Sequence, residues 1–131
     1  MSQSARILIC DDEPHIRLVV AARLRGAGHT VTEAADGAEA LRCAELERPD
    51  LVITDFQMPE MSGLDLACAL AERPALANVP VIMLTARGHA VDPERLARTR
   101  ITTVLPKPFS ARELLERAEA LLRSPPAAIA A

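Results

Sequence analysis

Leu51-Val52-Ile53-Thr54-Asp55-Phe56-Gln57-Met58-Pro59 sets three uninterrupted apolar residues just ahead of a carboxylate. An apolar run with no polar alternation suits a strand covered on both faces, as in a parallel sheet. Working outward, the same texture recurs in Ile7-Leu8-Ile9-Cys10 and in Val81-Ile82-Met83-Leu84. Residues 31–34 and 103–105 are shorter and less apolar, and are read as the second and fifth strands.

Between these runs the spacing turns helical. Pro14 suits a first helical position, and Ile16, Val19, Val20 and Leu24 follow on one face, with Gly26 and Gly28 to end it. Asp36 and Glu39 have the separation of a cap and its partner ahead of Ala40, Leu41 and Ala44. Ser62 can cap a third helix, Asp92-Pro93 can open a fourth, and Ser110 with Glu113 forms a capping box before a fifth. Strands alternating with helices predict a parallel α/β sheet with right-handed crossovers. The expected domain runs over residues 1–123, with a short flexible tail over 124–131.

Composition narrows the function. The 131 residues suit one domain, and 50% hydrophobic with 25% charged residues is ordinary for a globular chain. A net charge of -3 offers no basic field, so no direct nucleic-acid binding is expected. No apolar run approaches membrane-spanning length, and residues 1–6 do not resemble a signal peptide, so a cytoplasmic setting without membrane contact is expected. Cys10, Cys43 and Cys68 form no CxxC pair and are read as core or helix-face residues in a reducing compartment. His15, His29 and His89 lack ligand spacing. Arg87, Arg95, Arg98 and Arg100, around the fourth helix, read as a solvated face.

Ligands of open α/β sheets bind beyond the carboxyl ends of the strands. Asp11 and Asp12 follow the first strand, Asp55 the third and Lys107 the fifth, while Thr85 ends the fourth. One acidic residue after a strand is often a helix cap, and Asp12 alone could cap the first helix. Three carboxylates held together repel, and a dication such as Mg²⁺, with Mn²⁺ as the alternative, relieves them because it favours carboxylate oxygens. Three aspartates carry -3, while Mg²⁺ and Lys107 together carry +3. A neutralised pocket of this kind can receive a phosphoryl group. A carboxylate can attack phosphorus, a dication can offset charge on the phosphoryl oxygens, and Lys107 and the Thr85 hydroxyl can hold others.

Cys10-Asp11-Asp12-Glu13-Pro14, Asp55-Phe56-Gln57-Met58-Pro59 with Ser62-Gly63, Thr85-Ala86 and Lys107-Pro108-Phe109 together resemble the receiver domain of two-component response regulators, over roughly residues 6 to 122. The resemblance implies a flavodoxin-like sheet in the order 2-1-3-4-5 with helices on both faces. It implies phosphorylation of Asp55 by a sensor histidine kinase or histidine phosphotransfer protein. It also implies a metal held by Asp11, Asp12, Asp55 and the Gln57 backbone carbonyl. Thr85, Ala86 and Lys107 would bind the phosphoryl group, and the Lys107–Pro108 bond would be cis. Output would pass to a further protein through the fourth helix, fifth strand and fifth helix. The family's usual switch aromatic is here Val104, beside Thr102-Thr103 in place of an acidic pair.

The resemblance implies a phosphorelay switch rather than a multiple-turnover enzyme. Two rivals differ in class. A haloacid-dehalogenase-like phosphatase would place a second Asp two residues after the nucleophile, where this chain has Gln57. A receiver-fold binding module without switching draws support from Val104. A further reading takes the chain as the receiver fragment of a larger regulator or hybrid kinase.

Overall fold

Apolar residues on both sides of the three central strands oblige the chain to cover its sheet twice. Strand β1 (Arg6–Cys10) sends Ile7 and Ile9 to one face and Leu8 and Cys10 to the other, and all four are buried. The structure, a computed structural model, describes residues 4–86 and 91–123. Arg87 and His89, and the expected tail over 124–131, lie outside the described residues.

Helix α1 (Pro14–Gly26) starts with Pro14 in its first turn, and Gly28, at φ +98°, turns the chain into β2 (Thr30–Ala34). Helix α2 (Gly37–Leu46) is capped by Asp36, whose Oδ1 accepts the Glu39 N–H at 2.8 Å. Strand β3 (Leu51–Asp55) leads to α3 (Gly63–Ala71), where Ser62 and Asp65 make a reciprocal capping box. Strand β4 (Val81–Ala86), the four-residue α4 (Pro93–Leu96), β5 (Ile101–Lys107) and α5 (Ala111–Arg123) complete the chain.

All pairings are parallel, in the order β2-β1-β3-β4-β5. Val20, Ala21 and Leu24 of α1 and Leu114 and Ala118 of α5 cover one face, over Ile7, Ile9, Ile53, Ile82 and Leu105. Ala40 and Ala44 of α2 and Leu66, Ala67 and Leu70 of α3 cover the other, over Leu8, Cys10, Val52 and Val81.

The structure adds detail to three readings of the sequence. The fifth strand extends two residues beyond 103–105 at each end, because its edge position lets exposed Thr102, Val104 and Pro106 alternate with inward residues. Asp12 does not cap α1: Glu13 occupies that position, without a side-chain cap bond. The arginines near α4 also bond within the fold: Arg95, its side chain still 41% exposed, reaches Asp65 Oδ1 at 2.6 Å, and Arg100 donates to the Ala77 carbonyl at 3.1 Å.

Candidate functional site

Four strand tips converge at the carboxyl edge. Asp55, the last residue of β3, is 5% exposed, and Lys107, the last of β5, places Nζ 2.9 Å from its Oδ1. Asp11, just past β1, is fully buried, while Asp12 beside it is exposed. One carboxylate oxygen from each of Asp11, Asp12 and Asp55 lies within 4.8 Å of the other two. Thr85 is buried on β4, one residue beyond Leu84, which pairs with Asp55, and Ala86 pairs with Lys107. Gln57 borders an open groove of about 470 Å³ with Asp12, Phe56, Met58, Pro59 and Ser62. Val104 stands on the edge strand, 39% exposed.

The backbone holds these groups in place. The Glu13 N–H donates to Asp11 Oδ1 at 2.9 Å, and Arg17 Nη1 donates to the Asp11 carbonyl at 2.7 Å. The Thr54 hydroxyl donates to the Asp55 carbonyl at 3.0 Å, and the Gly63 N–H to the Phe56 carbonyl at 2.8 Å. A Cβ on Gly63 would lie 2.2 Å from the Asp55 carbonyl oxygen, so only glycine permits this approach. The Lys107–Pro108 peptide is cis.

Crowded carboxylates shift one another. Burial is the main reason that Asp11 is pushed up to about 6, with the charges of Asp55 and Asp12 adding and the Glu13 N–H and Lys107 opposing. Burial also raises Asp55 above the usual carboxylate value, against the lowering pull of Lys107. For Lys107, burial works to lower the ammonium. The hydrogen bond and charge of Asp55, backed by Asp11 and Glu13, more than offset it, so it stays above the usual lysine value.

Asp11 Oδ2 is buried and has no hydrogen-bond partner among the described residues. Such an atom is costly unless something pairs with it. All three side-chain donors are oxygens, the set that hard dications such as Mg²⁺ prefer. The residues therefore fit a divalent cation.

Sequence reasoning missed Gly63's contact with Asp55, the Thr54 hydroxyl and the Glu13 N–H. Thr54 carried a faint signal, as a polar residue between an apolar run and a carboxylate. The other two act through the backbone and carried none.

Over residues 7–119 the sequence matches the family model of the response regulator receiver domain. It is 38% identical over 122 residues to the probable transcriptional regulatory protein TcrX of Mycobacterium tuberculosis, covering 92% of this chain and 51% of that protein. The chain spans about half the length of the curated relatives it matches. Among solved structures, the chemotaxis response regulator CheY4 of Vibrio cholerae superposes with a TM-score of 0.82 at 33% identity, covering 91% of this chain and 99% of that one. The receiver domain of sensor histidine kinase PA1611 from Pseudomonas aeruginosa, with a magnesium ion coordinated in its active site cleft, gives 0.82 at 31% identity, covering 93% and 100%. With the strand order and the convergence of strand tips, these likenesses establish that the chain belongs to the response regulator receiver domain family.

Proposed function

We propose that this chain is a phosphorylation-dependent signalling switch of a two-component phosphorelay that takes its phosphoryl group on Asp55. The observation that carries this reading is the orphaned oxygen of buried Asp11, in a carboxylate cluster whose Asp55 is paired to Lys107. Asp11, Asp12, Asp55 and the Gln57 carbonyl would hold Mg²⁺. When bound, the ion supplies positive charge against the carboxylates and the phosphoryl oxygens. The magnesium in the PA1611 receiver supports this assignment.

The chain's own residues divide the remaining work. An Asp55 carboxylate oxygen forms the new P–O bond, and the donor leaves with the electrons of its own bond to phosphorus. Burial keeps water from competing with the donor, and Lys107 keeps the nucleophile ionised against that burial. Lys107 and the Thr85 hydroxyl would then hold phosphoryl oxygens, with Ala86 leaving room. The donor in this reading is a phosphohistidine on a sensor kinase or phosphotransfer protein. An apolar groove bordered by His15, Ile16, Val19, Lys107 and Phe109 opens beside the site to receive it. Output passes to a further protein, and each chain carries one phosphoryl group rather than turning over substrate.

Intact mass after incubation with Mg²⁺ and acetyl phosphate tests the reading. One phosphoryl adduct is expected on the wild type and none on Asp55→Asn; equal labelling of both rejects it. Mass is the suitable readout because the sequence has no Trp or Tyr.

Exposed Val104 favours a second reading, a docking module indifferent to phosphorylation. Hydrogen exchange separates the two. A switch changes protection in β5 and α5 on labelling, whereas a passive module does not.

A further inference from the structure

Sulfur collects beneath the Asp55 loop, outside the chemistry described so far. Cys10 Sγ lies 3.4 Å from Met58 Sδ, and the Met61 sulfur sits only 2.6 Å from where a Cβ on Gly37 would stand. Cys10 is a poor reagent: burial pushes its thiol up to about 12, so almost no thiolate forms near neutral pH. A thioether needs no deprotonation to be oxidised, so access decides which methionine reacts. Met58 borders the open groove shared with Asp12, Gln57 and Ser62. Met61 is half-buried, as Met58 is, but does not border that groove, whereas Met83 is fully buried in β4.

We propose that Met58 is an oxidation site for peroxides, and that its sulfoxide slows phosphoryl acceptance by Asp55. The sulfur lone pair attacks one peroxide oxygen, the O–O bond breaks and an S–O bond forms. For hydrogen peroxide the other oxygen leaves as water after proton transfer. Sulfur is oxidised by two electrons and the peroxide reduced by two. In the reduced state the sulfur accepts a weak hydrogen bond from the Cys10 thiol and packs on the α2–α3 side of the sheet. A sulfoxide oxygen is a far stronger acceptor, and this apolar wall offers it little beyond that thiol. The loop gains by turning the oxygen out to water, which displaces Gln57 next door. The effect on labelling rests on the phosphoacceptor reading; the oxidation site does not.

The test treats the full chain with hydrogen peroxide, maps sulfoxide at Met58, Met61 and Met83, and measures labelling by acetyl phosphate with Mg²⁺. Met58 should oxidise at least about fivefold faster than buried Met83, as expected where access sets the rate. Labelling should fall about tenfold and recover with methionine sulfoxide reductase, which reverses this lesion, but not with a thiol reductant alone. Met58→Leu should label normally and resist peroxide, with Cys43 and Cys68 still present as controls. Oxidation of Met58 no faster than of Met83, or peroxide inhibition that persists in Met58→Leu, overturns the proposal. A chain that takes no label before oxidation rejects the phosphoacceptor reading instead, and the sulfoxide map still decides the site.

Discussion

Strands β3 and β5 flank β4 and each supplies one half of the Asp55–Lys107 ion pair, yet they are built in opposite ways. Every residue of β3 is buried, and both its neighbours pair with it in regular register. In β5 only Leu105 is buried, one side has no partner strand among the described residues, and the register against β4 slips between Val81 and Ile82. Pro106, which lacks an N–H, is tolerated there because an edge strand has groups that need no ladder partner. The contrast implies a division of labour. The Asp55 carboxylate is held by a doubly covered strand, where geometry is fixed, while the Lys107 ammonium arrives on a strand with fewer contacts to hold it still.

The strongest way to break this comparison is in the middle of β3. Ile53 is fully buried under α1 and α5, so Ile53→Ala should cost roughly 2–5 kcal/mol in urea unfolding. A loss under about 1 kcal/mol would mean that β3 is no stiffer than its neighbour. Gly63→Ala comes next. Its new Cβ meets backbone rather than a flexible side chain, so the loop after β3 must move, at roughly 2–3 kcal/mol. Acetyl phosphate labelling of Asp55 should fall with it. Stability lost without any loss of labelling would show that the Asp55 carbonyl can shift freely.

The same contrast explains what the sequence disclosed. β1, β3 and β4 were legible because burial on both faces writes an unbroken apolar run. β5 was only half legible, since Thr102 and Val104 look outward and dilute the apolar signal. α4 has too few residues for a helical period to register. Asp11, Asp12, Asp55 and Lys107 stood out as charged residues at strand tips, and the fold brings them together. The orphaned Asp11 oxygen and the close approach at Gly63 depend on backbone paths between distant segments, which residue type does not encode.

A pH titration sharpens the comparison on the β3 side. In chelator, Asp11 titrates near 6 in the folded chain, above its ordinary 3.8. The folded state therefore binds this proton more tightly than the unfolded chain. The resulting stability is fully present below the ordinary value and is lost as pH rises through about 6, up to roughly 2–3 kcal/mol. The raised Asp55 acts in the same sense, while Asp65, held low chiefly by its hydrogen bond from Arg95, acts in the opposite one. The difference between wild type and Asp11→Asn isolates the effect, and parallel curves for the two would refute it. Mg²⁺ should reverse the slope, because its ligands must be deprotonated, so the stabilisation it gives should fade below about pH 6.

The smallest effect is expected on β5. Val104 is 39% exposed, so its side chain is only partly withdrawn from water on folding. Val104→Ala should therefore cost less than about 1 kcal/mol, combining a modest loss of apolar burial with the lower strand propensity of alanine. Acetyl phosphate labelling should stay within about twofold of wild type, since a change of that size on an exposed edge perturbs little beyond itself. A cost comparable with that of Ile53→Ala would show that β5 is braced as firmly as β3. A large change in labelling at unchanged stability would be more informative. It would mean that the edge strand's position, rather than its packing, sets where Lys107 meets Asp55.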